Sequence, residues 1–411
     1  MVVRYLVRCT NCDQVIRLRI RVGFLDREEF SFECSQCAQR IEGVMTLDQK
    51  NVQVLGLTIL SGAEEEKSER AHAQEHVHDS YFLPSSDLVG DRFSAFIEAF
   101  ARRGPETLVR GARARRFETQ LSERPTVSRI LRNYRRGQWE AMRRSAAKYF
   151  ADVHDFSQTD REKAILILEV VQIPIRAFAE SFAHEAFLAE FAVIYRGVLT
   201  KRPVSTRGLG RQLRDSGYLA DSIDSTVRLA ERLIPILHFM KPLLAEWDPE
   251  AEKQAILPSL RVPDISQFVD LGSVYVDAFE ALSRGLTIGV ALCNFKERSS
   301  LDAMAPSANL PKLAAGNLAA FHSHAHGPKL RYLTEYPLLH RRLSSALNSR
   351  LRNAFGHNAA RTDFPTQRIA YGSGQQRTEI SMAQFGALVM TCMIRLIEMN
   401  SVAVMLWPEA F

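Results

Sequence analysis

Apolar residues alternate at strand spacing mainly near the start of the chain, and from residue 92 onward most of them recur at helical spacing. Residues 5–7, 15–22, 29–33 and 52–59 predict strands. Residues 92–103, 126–153, 159–199 and 221–247 predict helices, with Thr126, Thr159 and Asp221 as capping candidates. Pro174 should kink or divide the third of these. Further helical periodicity covers 268–295, 309–321, 330–357 and 379–406, and a strand-like run at 366–371 with a turn at 372–376 precedes the last helix.

In the 330–357 helix, Leu339, Leu343, Leu347 and Leu351 form a buried stripe. The closing helix buries Met382, Phe385, Leu388, Cys392, Leu396 and Met399. Arg395 and Glu398 interrupt it, so it reads as a core helix and not a membrane span. The fold class is mainly α. We divide the chain into a small β-rich unit at 1–62, a linker at 63–91, a helical middle region at 92–263 and a helical bundle at 264–411. The acidic run Glu64–Glu66, the histidines His72, His76 and His78, and Pro84 set the linker's composition.

With 411 residues, 46% of them hydrophobic, the chain has the composition of an ordinary globular protein and not of a disordered or fibrous one. A net charge of +6 permits an acidic partner without requiring one. Basic residues concentrate between Arg102 and Lys148, and most are arginine, whose guanidinium grips phosphate with two parallel donors. Arg132, Arg135, Arg136, Arg143 and Arg144 are therefore candidate RNA contacts; the competing reading is a solvated helix face. No charged segment followed by an apolar run opens the chain, so we expect a cytoplasmic protein with no membrane association.

Two chemistries stand out. Cys9 and Cys12, then Cys34 and Cys37, form paired Cys-x-x-Cys knuckles that can close a tetrahedral thiolate shell. This resembles a zinc ribbon, with one structural zinc ion, since four cysteines leave no open ligand position. The second is Arg352, Asn353 and His357, at the end of the predicted 330–357 helix, with Gly356 as the point where that helix loosens.

Arg352-Asn353, three further residues and His357 resemble the signature of HEPN domains, and the order helix, motif, short strand, turn, long helix is similar to the end of many of them. The resemblance covers about the last third of the chain and implies an α-helical bundle. It further implies a metal-independent endoribonuclease with Arg352 and His357 catalytic, Asn353 supporting, and two motif copies meeting across a homodimer. What the family commonly does implies a toxin-like role in antiviral defence or stress response, with an activating trigger or an antitoxin as partner.

The alternative is a non-catalytic adaptor for nucleic acid or protein on the same folds. The His322-Ser323-His324 step is also similar to the zinc motif of JAMM-type metalloproteases, but Tyr332 and Glu335 stand where that pattern asks for Ser and Asp. We read His322, His324 and His326 as a loop beside the Arg352 motif. Phe178, Phe182, Phe187 and Phe191 read as core.

Overall fold

The computed structural model describes residues 2–21, 27–48, 53–67, 70–77, 124–147, 203–234, 243, 268–314, 316–364 and 366–409. The helices expected at 92–103 and 159–199, with Thr159, Pro174 and the four phenylalanines, lie outside these residues, as does His78.

The N-terminal strands are β1 (Val2–Cys9), β2 (Val15–Arg21), β3 (Arg27–Glu33), β4 (Arg40–Asp48), β5 (Gln53–Ser61), β6 (Ala63–Glu65) and β7 (Ala73–Val77). They form two sheets, ordered β6-β1-β2-β7 and β3-β4-β5. Val7, Ile16, Leu18 and Ile20 of the first sheet share a core with Ile41, Met45 and Leu47 of the second. Strand β4, central in its sheet, was not anticipated, because Gly43 interrupts its alternation; there the Phe30 ring lies over the bare backbone.

β6 and β7 fall inside the stretch expected to be a linker. Edge pairing is made by backbone groups and needs no apolar side chain. Glu64 and Glu65 pair with Arg8 and Val7, Glu66 forms an ion pair with Arg8, and β7 adds parallel to β2. His72 docks there too, its Nδ1 accepting from the Val15 N–H at 3.2 Å.

In the middle region, α1 (Arg124–Arg135) and α2 (Trp139–Ala146) replace the single helix expected from residue 126. Gly137, at φ +64°, takes a left-handed turn that a side chain would resist, and the chain folds back. Thr126 lies inside α1, two residues past its first residue Arg124. α3 (Pro203–Asp215), which the sequence reading missed, and α4 (Tyr218–Leu233) follow. Gly217 is the N-cap of α4, so Asp221 sits in the first turn and donates its N–H to the Gly217 carbonyl at 3.0 Å instead of capping.

The remaining elements are α5 (Phe268–Arg298), α6 (Pro311–Ala314), α7 (Leu318–Ser323), α8 (His326–Tyr332), a 3-10 turn at Leu333–Glu335, α9 (Pro337–Leu343), α10 (Ser349–Gly356), β8 (Arg361–Asp363), β9 (Arg368–Tyr371), β10 (Thr378–Ser381) and α11 (Met382–Glu409). The segment expected as one helix over 330–357 is broken twice. Pro337 has no N–H and fits only a helix's first turn, so it opens α9, and Asn348 opens α10 by accepting the Leu351 N–H at 3.0 Å. Leu339, Leu343, Leu347 and Leu351 are all buried nonetheless. The 309–321 helix divides likewise, at the Asn317 cap of α7.

One core joins the described helices, with α5 packed along α11 and α4. Residues 382–400 of α11 are long and apolar enough to cross a membrane, and 83% of their most apolar window is buried inside the protein. Arg395 and Glu398 pair within that buried helix. The chain is mainly α with small sheets, as its periodicity predicts.

Candidate functional site

The four cysteines meet. β1 and β2 form one hairpin and β3 and β4 another, each with a cysteine pair at its turn. The two turns are built alike. Cys9 N–H bonds to Gln14 and Asp13 N–H to Cys9, while Cys34 N–H bonds to Gln39 and Ala38 N–H to Cys34. Asp13 and Ala38 both take positive φ, 56° and 57°. All four sulfurs lie within 4.8 Å of one another, with Cys9 to Cys37 and Cys12 to Cys34 at 3.6 Å. Tetrahedral ligands at about 2.3 Å from a metal stand about 3.8 Å apart, so the cluster fits a single ion.

The second site is built where α10 meets α5. Asn348 does more than cap: its Nδ2 donates to the Tyr371 hydroxyl at 3.2 Å, and its carbonyl accepts from Tyr275 at 3.2 Å. Leu351 and Ala354 face the core, and Phe355 stacks on Phe385 with ring centroids 4.8 Å apart. Phe355 also lies against Gly272 of α5, where a Cβ would come within 2.8 Å of its ring. These contacts fix the roll of α10 and bring Arg352 over α5.

The helix ends beyond Gly356. Asn358, not Gly356, takes the left-handed conformation, at φ 52°. Asn358 N–H bonds to Phe355 and Ala359 N–H to Ala354, satisfying the carbonyls of the last turn. This leaves His357 at the C-cap with its side chain exposed.

Arg352 forms an ion pair with Glu280 of α5 and donates from Nη1 to Asn353 Oδ1 at 3.1 Å, while its Nε is buried without a partner among the described residues. Asn353 is exposed. The structure thus brings Arg352 and Asn353 together, and among the described residues no hydrogen bond or ion pair joins His357 to either side chain.

A different imidazole shares the Arg352 carboxylate. His326, at the start of α8, places Nε2 3.7 Å from Glu280 Oε1 and Nδ1 2.7 Å from the Ser283 hydroxyl. One turn further along α5, Thr287 meets His322 Nδ1 at 3.0 Å, and the His322 ring packs on Tyr218, with centroids 4.6 Å apart. Glu280, Ser283, Arg284 and Thr287 form a polar stripe at helical spacing along the middle of α5. That stripe was readable in the sequence and was missed.

The charges are interdependent. Burial raises the Glu280 carboxyl, but the Arg352 hydrogen bond and charge, then His326 and Arg284, outweigh it and hold it below the ordinary carboxylate range. Burial lowers the His326 imidazole; Glu280 opposes this, and Arg352, Lys329 and Arg284 reinforce it. Burial also lowers His322, helped by Lys329 and Arg284 against Asp221.

Comparison with protein-family models, curated proteins and solved structures finds no match.

The arginine candidates for RNA contact lie on α1 and α2. Arg132 and Arg135 pair with Glu231 of α4 at 3.7 and 2.6 Å, and Arg143 pairs with Glu140 at 3.1 Å. Arg136 and Arg144 are exposed, with no such partner among the described residues. His322 and His326 are each engaged by an α5 hydroxyl, and helices flank them on both sides where a JAMM-type site would need an α/β setting.

Proposed function

We propose that the chain is a metal-independent endoribonuclease of HEPN type, with Arg352 and His357 as its reacting groups and Asn353 as support. One observation supports this most directly. The same helix end holds a guanidinium anchored on its inner side by Glu280 and, one turn on, an imidazole that faces solvent.

RNA carries its own nucleophile, the 2′-hydroxyl beside each phosphodiester. A base removes that proton, the 2′-oxygen bonds to phosphorus, and the bond to the 5′-oxygen breaks as an acid protonates it. The products are a 2′,3′-cyclic phosphate and a 5′-hydroxyl. His357 serves as base or acid, and Arg352 offsets the charge that gathers on the phosphate oxygens. One imidazole cannot face both oxygens at once, so a second copy of the motif across a homodimer supplies the other. The cysteine cluster holds one structural zinc ion as a zinc ribbon, and the arginines of α1 and α2 guide the RNA. A toxin-like role under a trigger or an antitoxin follows from the resemblance.

The test is cleavage of tRNA and total RNA by the purified chain in EDTA. Cutting should persist in the chelator and be lost in Arg352→Gln and His357→Ala. No cutting by the native protein together with no toxicity on overexpression, or equal cutting by His357→Ala, rejects the proposal.

A further inference from the structure

Lys329 of α8 is 3% exposed, its ammonium keeps a small opening to solvent, and that ammonium has no hydrogen bond or ion pair among the described residues. The ammonium lies over the face of Phe321, 5.8 Å from the ring centroid, which accepts no conventional hydrogen bond. A buried ammonium is ordinarily paired, because leaving it without an acceptor is costly. Its surroundings add to the cost. Burial first, and then Arg284, pull it from the ordinary 10.5 down to about 8, and its own charge depresses His322 and His326. Arg284 is half-exposed at the edge of the same cluster, and Arg352 stands on the other side of Glu280. Glu280 already serves Arg352, His326 and Arg284, and Asp221 acts on His322 from α4. The corner has more positive charge than its own carboxylates balance.

We propose that Lys329 and Arg284, with the His322 imidazole, form a seat for a phosphate group of a polynucleotide strand, adjacent to the linkage that Arg352 addresses. The inference rests on the ribonuclease reading for the identity of the strand, and on Lys329 for the seat. A phosphate oxygen supplies an acceptor for Lys329, and a strand held there is fixed beside the linkage that is cut.

The experiment uses the full-length chain and a 2′-O-methyl RNA oligonucleotide, which has no free 2′-hydroxyl and cannot be cut by this chemistry. Its binding is read by fluorescence anisotropy, beside the thermal shift produced by inorganic phosphate. Lys329→Met should weaken the oligonucleotide about tenfold or more and abolish the phosphate-dependent shift. Arg284→Gln, at an exposed position that does not threaten folding, should weaken it several-fold. Native affinity in both variants overturns the seat. A phosphate shift that depends on Lys329, with oligonucleotide affinity that does not, assigns the corner to free phosphate and overturns the strand. A chain that cuts no RNA but binds this oligonucleotide through Lys329 would sink the nuclease and leave the seat standing.

Discussion

Lys329→Met should make the protein more stable at neutral pH. Where folded and unfolded chains are both protonated, holding this ammonium at a pKa of about 8 instead of 10.5 costs roughly 3 kcal/mol. Methionine fills a similar volume without the charge. The variant forfeits the contact with the Phe321 face, which contributes about 0.5–2 kcal/mol. The net gain below pH 8 is therefore about 1–2.5 kcal/mol.

The sign with pH is fixed by which state binds more protons. Between pH 8 and 10.5 the unfolded lysine stays protonated while the folded one releases its proton, so wild-type stability rises across that window. The advantage of Lys329→Met should shrink over the same range, since the folded amine loses both its charge and the cost of holding it. Burial also raises Tyr134, Tyr332 and Tyr336, so the wild-type curve alone mixes several titrations; the difference between the two proteins cancels them. Urea denaturation followed by circular dichroism at pH 7, 8, 9 and 10 gives that difference. A gap that does not change with pH, or a variant less stable at pH 7, refutes the claim that the ammonium is held at a cost.

Glu280→Gln should cost about 1 kcal/mol, since the paired side chains of Arg352 and Glu280 are 20% and 27% exposed and solvent screens them. The carboxyl is held below its ordinary range, so its contribution is present at neutral pH and is lost as acid protonates it; acid titration of wild type against variant checks this. Asn348→Ala removes the α10 cap and the bond to Tyr371, and should lower stability by about 1–2 kcal/mol in urea denaturation. Cys34→Ser should abolish zinc retention, measured by elemental analysis at one ion per native chain; full zinc in the variant would refute the assignment.

Local pattern predicted local structure well. The Cys-x-x-Cys knuckles needed only a turn, and the sulfurs converge. The leucine stripe from Leu339 to Leu351 is buried even though its helix breaks, because residues on both sides of the Asn348 cap still face one core. Edge strands β6 and β7 escaped notice because backbone pairing left no mark in side-chain hydrophobicity. The Arg352 motif was visible as a short string, but its anchor was not. Glu280 stands 72 residues earlier, one of four carboxylates on α5, and only tertiary packing shows which of them serves Arg352. Its spacing with Ser283, Arg284 and Thr287 was the available clue.

The stripe also divides work between the two imidazoles near Arg352. Glu280, held ionised, can only accept, so the His326 nitrogen facing it at 3.7 Å carries the proton. His326 is kept neutral by burial and by the surrounding cations, so its other nitrogen, Nδ1, is the acceptor for the Ser283 hydroxyl at 2.7 Å. Both ring nitrogens are then committed, one to the hydroxyl and one toward the carboxylate that orients Arg352. A ring so engaged positions the guanidinium but has no lone pair with which to take a proton from substrate. At His357 neither ring nitrogen is engaged by the described residues, and the side chain is open to solvent. Under the proposed chemistry, His326→Ala should therefore leave residual cutting that still depends on His357, whereas His357→Ala should leave none for His326 to sustain.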